Sequence, residues 1–159
     1  MLRVLAKIFS KRSDCTATFI GNHYGDHFID MADKLGISKN RLSILPEIPL
    51  EEIAEKMVSH DLFLLFSNYE NLPCVISEAL VSGLPVLASD VGGVKEMVSN
   101  KNGLLVDAGD ETNLEILLNK LIDEINDFHP AKISQKARAR YGYDAVAKSF
   151  LKVYQKICN

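Results

Sequence analysis

A strand-to-helix junction in the middle of the chain most constrains the fold. The run 61–66, Asp-Leu-Phe-Leu-Leu-Phe, is short and almost entirely apolar, which is typical of a parallel strand buried on both faces. Polar residues follow at once, and an apolar helical face then begins at Val75. Asn71 or Glu70 is predicted to cap this helix, with Pro73 in its first turn. The junction therefore predicts a parallel α/β unit.

The same junction predicts a binding edge. A helix that starts where a strand ends directs unpaired N–H groups and a partial positive charge at the carboxyl edge of the sheet, and such an edge binds anions. Glu70 and Glu78 lie around this helix with seven residues between them. Carboxylates are poor phosphate ligands but accept hydrogen bonds from sugar hydroxyls. The combination favours a phosphate that is linked to sugars.

Short apolar strands alternate with helices along the chain. Strands are predicted at 15–21, 41–45, 61–66, 84–89 and 103–106, and helices at 1–12, 26–35, 50–59, 72–82, 94–98, 112–125 and 143–157. The inward face of the first helix is predicted to be Leu2, Leu5, Ala6 and Phe9. This alternation indicates an α/β, Rossmann-like, open and mostly parallel sheet with helices on both faces. Ligands of such sheets bind at the carboxyl ends of the strands.

The composition fits one globular domain and excludes some partners. A chain of 159 residues with 47% hydrophobic and 25% charged residues is ordinary for such a domain. The net charge of −3 gives no electrostatic footprint for nucleic acid. The basic residues Lys132, Lys136, Arg138 and Arg140 lie at helical spacing and are interpreted as a solvated helix face.

The cysteines and the apolar runs of the sequence indicate in which cellular compartment the protein is found. Cys15, Cys74 and Cys158 are odd in number and have no C-x-x-C spacing, which argues against a disulfide framework and a zinc site. No run approaches the ~20 apolar residues of a membrane-spanning helix. A cytoplasmic protein is therefore expected.

Four short motifs follow one another in the second half of the sequence. They are E-x7-E from Glu70 to Glu78, G-x-P-V at 83–86, D-x-G-G-x-x-E at 90–96 and G-L-L-V at 103–106. In this order they resemble the donor-binding half of a family 4 retaining glycosyltransferase. Enzymes of this family have the two-domain GT-B architecture and use nucleotide-activated sugars. Weaker similarity covers nearly the whole chain.

The resemblance assigns roles to the first motif. It implies that Glu70 is the catalytic carboxylate beside the donor sugar and phosphates, and that Glu78 accepts hydrogen bonds from the ribose. Helical periodicity alone places Glu78 on a solvent-facing side of its helix. The family's G-F-G is replaced by Asn71-Leu72-Pro73, so one amide contact to the donor is lost at proline. This departure leaves the donor sugar open.

Two further sets of residues follow from the resemblance. Gly92 and Gly93 permit a close-approach turn near the donor, while a plain turn remains an equal alternative. Gly21, with Asn22, and Ile48 match the positions at which the family holds the base.

No metal or cofactor is expected. The chain contains no D-x-D motif, in agreement with a metal-independent family, and neither a P-loop nor G-x-G-x-x-G. His23 and His27 have the i, i+4 spacing of helical metal ligands, but Gly21-Asn22 before them favours a loop.

The resemblance also implies that the chain, residues 1–159, is one nucleotide-sugar-binding domain and a fragment of a longer enzyme. The expected missing parts are the family's first strand, the G-R…K-G loop whose two cations clamp the diphosphate, and the N-terminal acceptor domain. The donor is expected to be a UDP-, GDP- or ADP-linked sugar, and the isolated chain is expected to be inactive. The full-length enzyme is expected at the inner face of the membrane.

The missing first strand raises a question about the sheet. In the 3-2-1-4-5-6 order that strand lies in the middle. Either its neighbours close up, or another segment or a second molecule fills the gap.

Two other functions remain open. One is a non-catalytic nucleotide-binding or interaction module with the same fold, and the other is a nucleotide-sugar epimerase. The transferase interpretation fits D-x-G-G-x-x-E after G-x-P-V better, with bacterial surface polysaccharide synthesis as the setting. The sequence upstream of Met1 would separate the first two, because a further ~200 residues with a G-R…K-G loop favour the transferase.

Overall fold

The computed structural model describes residues 1–21 and 25–158 as alternating strands and helices. The strands are β1 (Ala17–Ile20), β2 (Leu42–Leu45), β3 (Phe63–Leu65), β4 (Val86–Ser89) and β5 (Gly103–Val106). The helices are α1 (Leu2–Lys11), α2 (Gly25–Lys34), α3 (Leu50–Val58), α4 (Cys74–Val81), α5 (Glu111–Asp123), α6 (Pro130–Tyr141) and α7 (Tyr143–Ile157). Single 3-10 turns cover Val94–Glu96 and Ile125–Asp127. The predicted Rossmann-like α/β class is confirmed.

The described strands form two groups of parallel neighbours. β1 pairs with β2, with Ala17 opposite Leu42, and β4 lies between β3 and β5. No hydrogen-bonded ladder joins β1 to β3 among the described residues. Of the alternatives for the missing strand, direct pairing of its two neighbours is therefore not seen within the described residues. The N–H of Ala17 donates to Arg41, the residue before β2, and the N–H of Phe63 donates to Pro85, the residue before β4. Alternate N–H and C=O groups of β1 and β3 therefore point to the opposite edges.

The sheet is covered on both faces. In β4, Leu87 packs with the apolar side chains of α1 and α5, whereas Val86 and Ala88 pack with those of α4 and α6. Side chains alternate between the two faces of a strand, so β4 separates two apolar layers. All four residues of β4 are buried. This central position explains why the G-x-P-V-L-A run is apolar throughout.

The inward face of α1 differs from the predicted one. Leu2 and Leu5 are buried as predicted, but the other buried residues are Val4 and Ile8. Ala6 and Phe9 are only half-buried. The Phe9 ring lies at the surface below the Arg41 guanidinium, 4.7 Å from its centre. Ala6 and Phe9 still pack against the core from its margin, and the cation over the aromatic face of Phe9 is favourable there.

Ion pairs connect α1, and Arg12 directly after it, to α5. Arg3 pairs with Glu111, Lys11 with Glu115 at 2.7 Å, and Arg12 with Asp123. Arg12 also pairs with Asp14, whose pKa it lowers to about 2. α1 and α5 also share one apolar layer with Leu87, so these pairs connect the first helix to the helix that follows the last strand.

The last two helices differ in how well the sequence predicts them. α7 has the predicted bounds, whereas α6 was not among the predicted elements. The apolar residues of α7 are exposed, and none of its side chains is buried. In residues 1–21 and 25–158, no helix is both long and apolar enough to cross a membrane.

Candidate functional site

Two loops meet at the carboxyl edge of the sheet. One follows β3 and carries Glu70 and Asn71, and the other follows β4 and carries Gly92 and Gly93. The N–H of Gly93 donates to the carbonyl of Asn71 at 2.7 Å. β3 and β4 are adjacent and parallel, so both loops leave the sheet at the same edge, where ligands of this fold bind.

The approach of the two loops requires glycine. Gly92 has a φ of +53°, and a Cβ at this position would overlap the carbonyl oxygen of Glu70. A Cβ at Gly93 would lie 2.9 Å from both the Asn71 carbonyl oxygen and the Leu72 Cδ1. This close contact is made with another loop of the protein, so both alternatives for the glycine pair, a donor-approach turn and a plain turn, stay open. The surface that approaches is the backbone of the Glu70 loop.

Glu70 and Glu78 are both half-buried. Neither carboxylate has a hydrogen-bond or ion-pair partner among the described residues, so all their lone pairs are available. Helical periodicity placed Glu78 on a solvent-facing side, but the residues that flank it in sequence, Ser77 and Ala79, are half-buried and buried. Both carboxylates therefore border the junction as free acceptors.

The predicted caps of α4 are wrong. The helix begins at Cys74, its N-cap is Pro73, and no side chain caps it. Asn71 lies two residues before the cap, and its carbonyl accepts the N–H of Gly93. Pro73 has a ψ of 114°, so the chain is still extended at this point. Pro73 carries no N–H, and its carbonyl accepts from Ile76 at 3.1 Å.

The N–H groups around Pro73 are available to a ligand. Those of Asn71, Leu72 and Cys74 have no acceptor within the described ranges 1–21 and 25–158. In sequence they lie between Glu70 and Glu78, and they precede or begin α4, where an anion is stabilised. The junction thus combines hydrogen-bond donors for phosphate with acceptors for hydroxyls.

Ser89 was not among the predicted site residues. It ends β4, is 1% exposed, and its Oγ has no partner in the part of the chain that the structure describes. A buried hydroxyl without a hydrogen bond is costly, so such an atom at a binding edge is noteworthy. The sequence signal was a polar residue that directly follows three apolar ones before Asp90.

The predicted base-binding residues lie on the other strand pair. Gly21 follows β1, and its N–H donates to Leu45 at 3.2 Å, which continues the ladder to β2. Ile48 follows β2 and is half-buried. Both lie at carboxyl ends, as predicted, but Asn22 and His23 fall outside the described residues. Within the described residues, no three or more His, Cys, Asp or Glu side chains form a group that could hold a metal.

Comparison with known proteins gives the family. Residues 1–140 match the family described as glycosyl transferases group 1. The D-inositol 3-phosphate glycosyltransferase of Corynebacterium urealyticum is 30% identical over 130 residues, which are 80% of this chain and 30% of that protein. The chain therefore spans about a third of the length of this relative.

Two solved structures show the same fold. Sucrose-phosphate synthase from Thermosynechococcus elongatus superposes with a TM-score of 0.83 at 18% identity, over 98% of this chain and 42% of that one. Alr3699/HepE of Anabaena, solved in complex with UDP, superposes with a TM-score of 0.82 at 22% identity, over 96% of this chain and 44% of that one. At this identity the likeness concerns the fold.

Proposed function

Because the chain belongs to the glycosyl transferases group 1 family, we propose that it is the donor-binding half of a retaining glycosyltransferase and binds a nucleotide-sugar at the junction of the Glu70 and Gly92 loops. The observation that carries this proposal is the geometry of that junction. Two loops are hydrogen-bonded through Gly93 and Asn71, and free N–H groups lie between two unpaired carboxylates.

Each part of a nucleotide-sugar has a matching group. The N–H groups of Asn71, Leu72 and Cys74 suit the diphosphate, and Glu78 suits the ribose hydroxyls. Glu70 suits the sugar, and Gly92 and Gly93 let the donor approach the backbone. Gly21 and Ile48 are the candidates for the base. UDP is the first base to test, since Alr3699/HepE was solved with UDP and with UDP-glucose, and GDP and ADP follow.

We assign the whole of 1–159 to one domain of a longer enzyme. The relatives are more than twice as long as this chain, which leaves room for an acceptor domain and for cations that clamp the diphosphate. Charge stabilisation of the leaving group is usually the largest catalytic contribution. The isolated chain should therefore bind the donor weakly and transfer no sugar.

The proposed setting is the bacterial cytoplasm, with the full-length enzyme at the inner face of the membrane. Bacterial surface polysaccharide synthesis is the proposed pathway. Cys15, Cys74 and Cys158 are free thiols, which is compatible with a reducing compartment.

The test is an NMR titration of the chain with UDP, GDP and ADP. We expect saturable amide shifts at 70–78 and 92–93, with affinities in the millimolar to high micromolar range, roughly 4–6 kcal/mol. Inosine, which has the ribose but no diphosphate, is the control and should bind more weakly. Absence of shifts at these residues at saturating nucleotide would refute the proposed donor site.

The catalytic part needs the full-length protein. There Glu70→Ala should lower kcat strongly, by about 100-fold or more, because this carboxylate lies where charge changes in the transition state. Binding of UDP without any transfer by the full-length protein would favour the non-catalytic module instead.

A further inference from the structure

A cavity that contains none of the residues 70–78 and 92–93 in its lining begins at Lys95, just after the Gly92 loop. It has a volume of about 560 Å³ and lies between α6, the 3-10 turn Val94–Glu96 and the turn 99–102 before β5. Its floor is apolar, because Met97, Ile133 and Ala137 are buried there. Cavities of this size hold small molecules.

Cationic side chains line the rim of this cavity from two sides. Lys132, Lys136 and Arg140 lie at i, i+4 and i+8, so α6 presents all three on one face. Lys95 and Lys101 line the cavity from the opposite segment. None of the five forms an ion pair within residues 1–21 and 25–158.

The acidic residues of the rim do not neutralise it. Glu96, Glu124 and Asp127 also line the cavity, so five cations face three carboxylates. The chain as a whole has a net charge of −3, and this excess of positive charge is therefore local. The sequence suggested that the basic residues of this region form a solvated helix face, and all four are exposed. Three of the four also line a concave surface, while Arg138 bonds to Ser134 on its own helix.

A buried hydroxyl provides a second observation. Tyr141 lines the same cavity, and its Oη is buried without a hydrogen-bond partner among the described residues. Burial raises the pKa of this phenol, which keeps it protonated as a donor. Arg140 is fixed beside it, since its Nη1 donates to the carbonyl of Glu96 at 2.7 Å and its guanidinium lies 5.1 Å from the centre of the Tyr141 ring.

We propose that this cavity binds a phosphate group of a small molecule, at a site separate from the donor junction. Lys132, Lys136 and Lys95 supply charge, Arg140 supplies a fixed planar donor, and Tyr141 donates its hydroxyl. Unpaired ammonium and guanidinium groups that converge with an O–H donor match the several acceptor oxygens and the negative charge of phosphate. The apolar floor accepts the carbon part of the molecule.

The test is an NMR titration of the whole chain with inorganic pyrophosphate. We expect saturable shifts at 95–101 and 132–141, in addition to any at 70–78 and 92–93. The variant K132Q/K136Q should weaken the first set about tenfold or more and leave the second set unchanged. Its matched control is K148Q/K152Q, which removes the same charge at the same spacing from exposed positions of α7 and should change neither set.

Tyr141→Phe separates binding from stability. Removal of a buried hydroxyl that has no partner should leave the melting temperature unchanged or raise it. The same change should weaken pyrophosphate binding about three- to tenfold, because the ligand loses a donor. A merely structural tyrosine would show no loss of binding.

Three results would overturn the proposal. They are the absence of saturable shifts at 95–101 and 132–141, equal weakening by K132Q/K136Q and K148Q/K152Q, or binding only at 70–78 and 92–93. A lipid headgroup is the other source of such a phosphate. Cosedimentation with vesicles of phosphatidic acid and phosphatidylcholine that K132Q/K136Q abolishes, without pyrophosphate shifts, would replace the proposal with a membrane surface.

Discussion

The two halves of the sheet differ in how completely they are packed and paired. In the three-stranded half, β4 has neighbours on both sides and all of its residues are buried. In the two-stranded half, β1 and β2 have one partner each, and only Phe19 and Leu42 of their residues are buried. The motif residues Glu70, Glu78, Gly92 and Gly93 all belong to the first half. The loop with Gly92 and Gly93 thus follows the best-packed strand, whereas the loop with Glu70 follows β3, which has one partner among the described strands and no buried residue.

The difference between the two strand groups suggests which parts of a donor are held most strictly. Phosphate and sugar contacts require backbone N–H groups at fixed positions, and the junction of the Glu70 and Gly92 loops provides them through close backbone contact. The base candidates Gly21 and Ile48 follow β1 and β2 in the other strand group and do not belong to this loop contact. We therefore expect the diphosphate and the sugar to be positioned more strictly than the base.

The largest expected effect concerns the core of each half. Leu87 of β4 is 0% exposed, and Leu42 of β2 is 9% exposed. Leu87→Ala should lower the free energy of unfolding by about 3–5 kcal/mol, and Leu42→Ala by about 2–3 kcal/mol, because the first leaves a cavity enclosed on all sides. Urea unfolding of both variants measures the difference. Equal losses would contradict the comparison between the halves.

The next effect concerns the contact between the two loops. Gly92→Ala should cost about 2–4 kcal/mol, because it combines a positive φ with an overlap on the Glu70 carbonyl. Gly109→Ala is the matched control, since Gly109 has a φ of +76° and nothing lies within 4 Å of its Cβ position. It should cost only about 1–2 kcal/mol.

The nucleotide titration gives a second comparison between the Gly92→Ala and Gly109→Ala variants. Gly92→Ala should also abolish the amide shifts at 70–78, whereas Gly109→Ala should preserve them. If both variants lost the same stability and both still bound UDP, the close approach of the loops would have no functional meaning.

The smallest effect concerns the ion pairs between α1 and α5. Hydrogen bonds to Arg3 and to Lys11 and Lys7 lower the pKa values of Glu111 and Glu115, and Arg12 lowers that of Asp14 to about 2. Carboxylates with lowered pKa values stabilise the fold above their ordinary pKa, near pH 4, and lose this contribution as the pH falls. Asp14 is exposed and Glu111 and Glu115 are half-buried at the surface, so salt should screen the effect in part.

Arg12→Gln tests this contribution. It removes the partner of Asp14 and Asp123, so the loss of melting temperature between about pH 4 and pH 2 should become smaller than in the unchanged chain. Thermal unfolding across this pH range, at low and at high salt, measures this loss of melting temperature. An identical pH profile for both proteins would show that the pairs contribute nothing to the stability of the contact between the α1 region and α5.

The sequence predicts regular elements with strong periodicity well. β5 and α7 have the predicted bounds, because G-L-L-V and the apolar residues of 143–157 follow clear patterns. The sequence analysis did not predict α6, because this helix is rich in Lys, Arg and Ala and has few large apolar residues. Pro130 at its start, and Ile133 and Ala137 four residues apart, were the available signals.

The candidate site is less visible in the sequence. The motifs place Glu70 and Gly92 at the correct edge, but spacing cannot show that Gly93 bonds to Asn71, since this contact depends on the pairing of β3 with β4. The partial burial of Glu78 likewise results from tertiary packing around α4 and was missed by helical periodicity. The cap candidates Glu70 and Asn71, with Pro73 after them, predicted that the helix begins before residue 74. The backbone is still extended at Pro73, so the helix begins only at Cys74.

The most direct test of the central claim is the affinity of the chain for UDP when Glu78 is replaced. Glu78→Ala should weaken binding about tenfold, measured by calorimetry, because it removes the carboxylate that accepts the ribose hydroxyls. Glu52→Ala, which removes an exposed carboxylate from α3, should leave the affinity unchanged. If the two variants bound UDP equally well, with both folded, the carboxylate at the junction would not be a donor ligand and the account of the site would be wrong.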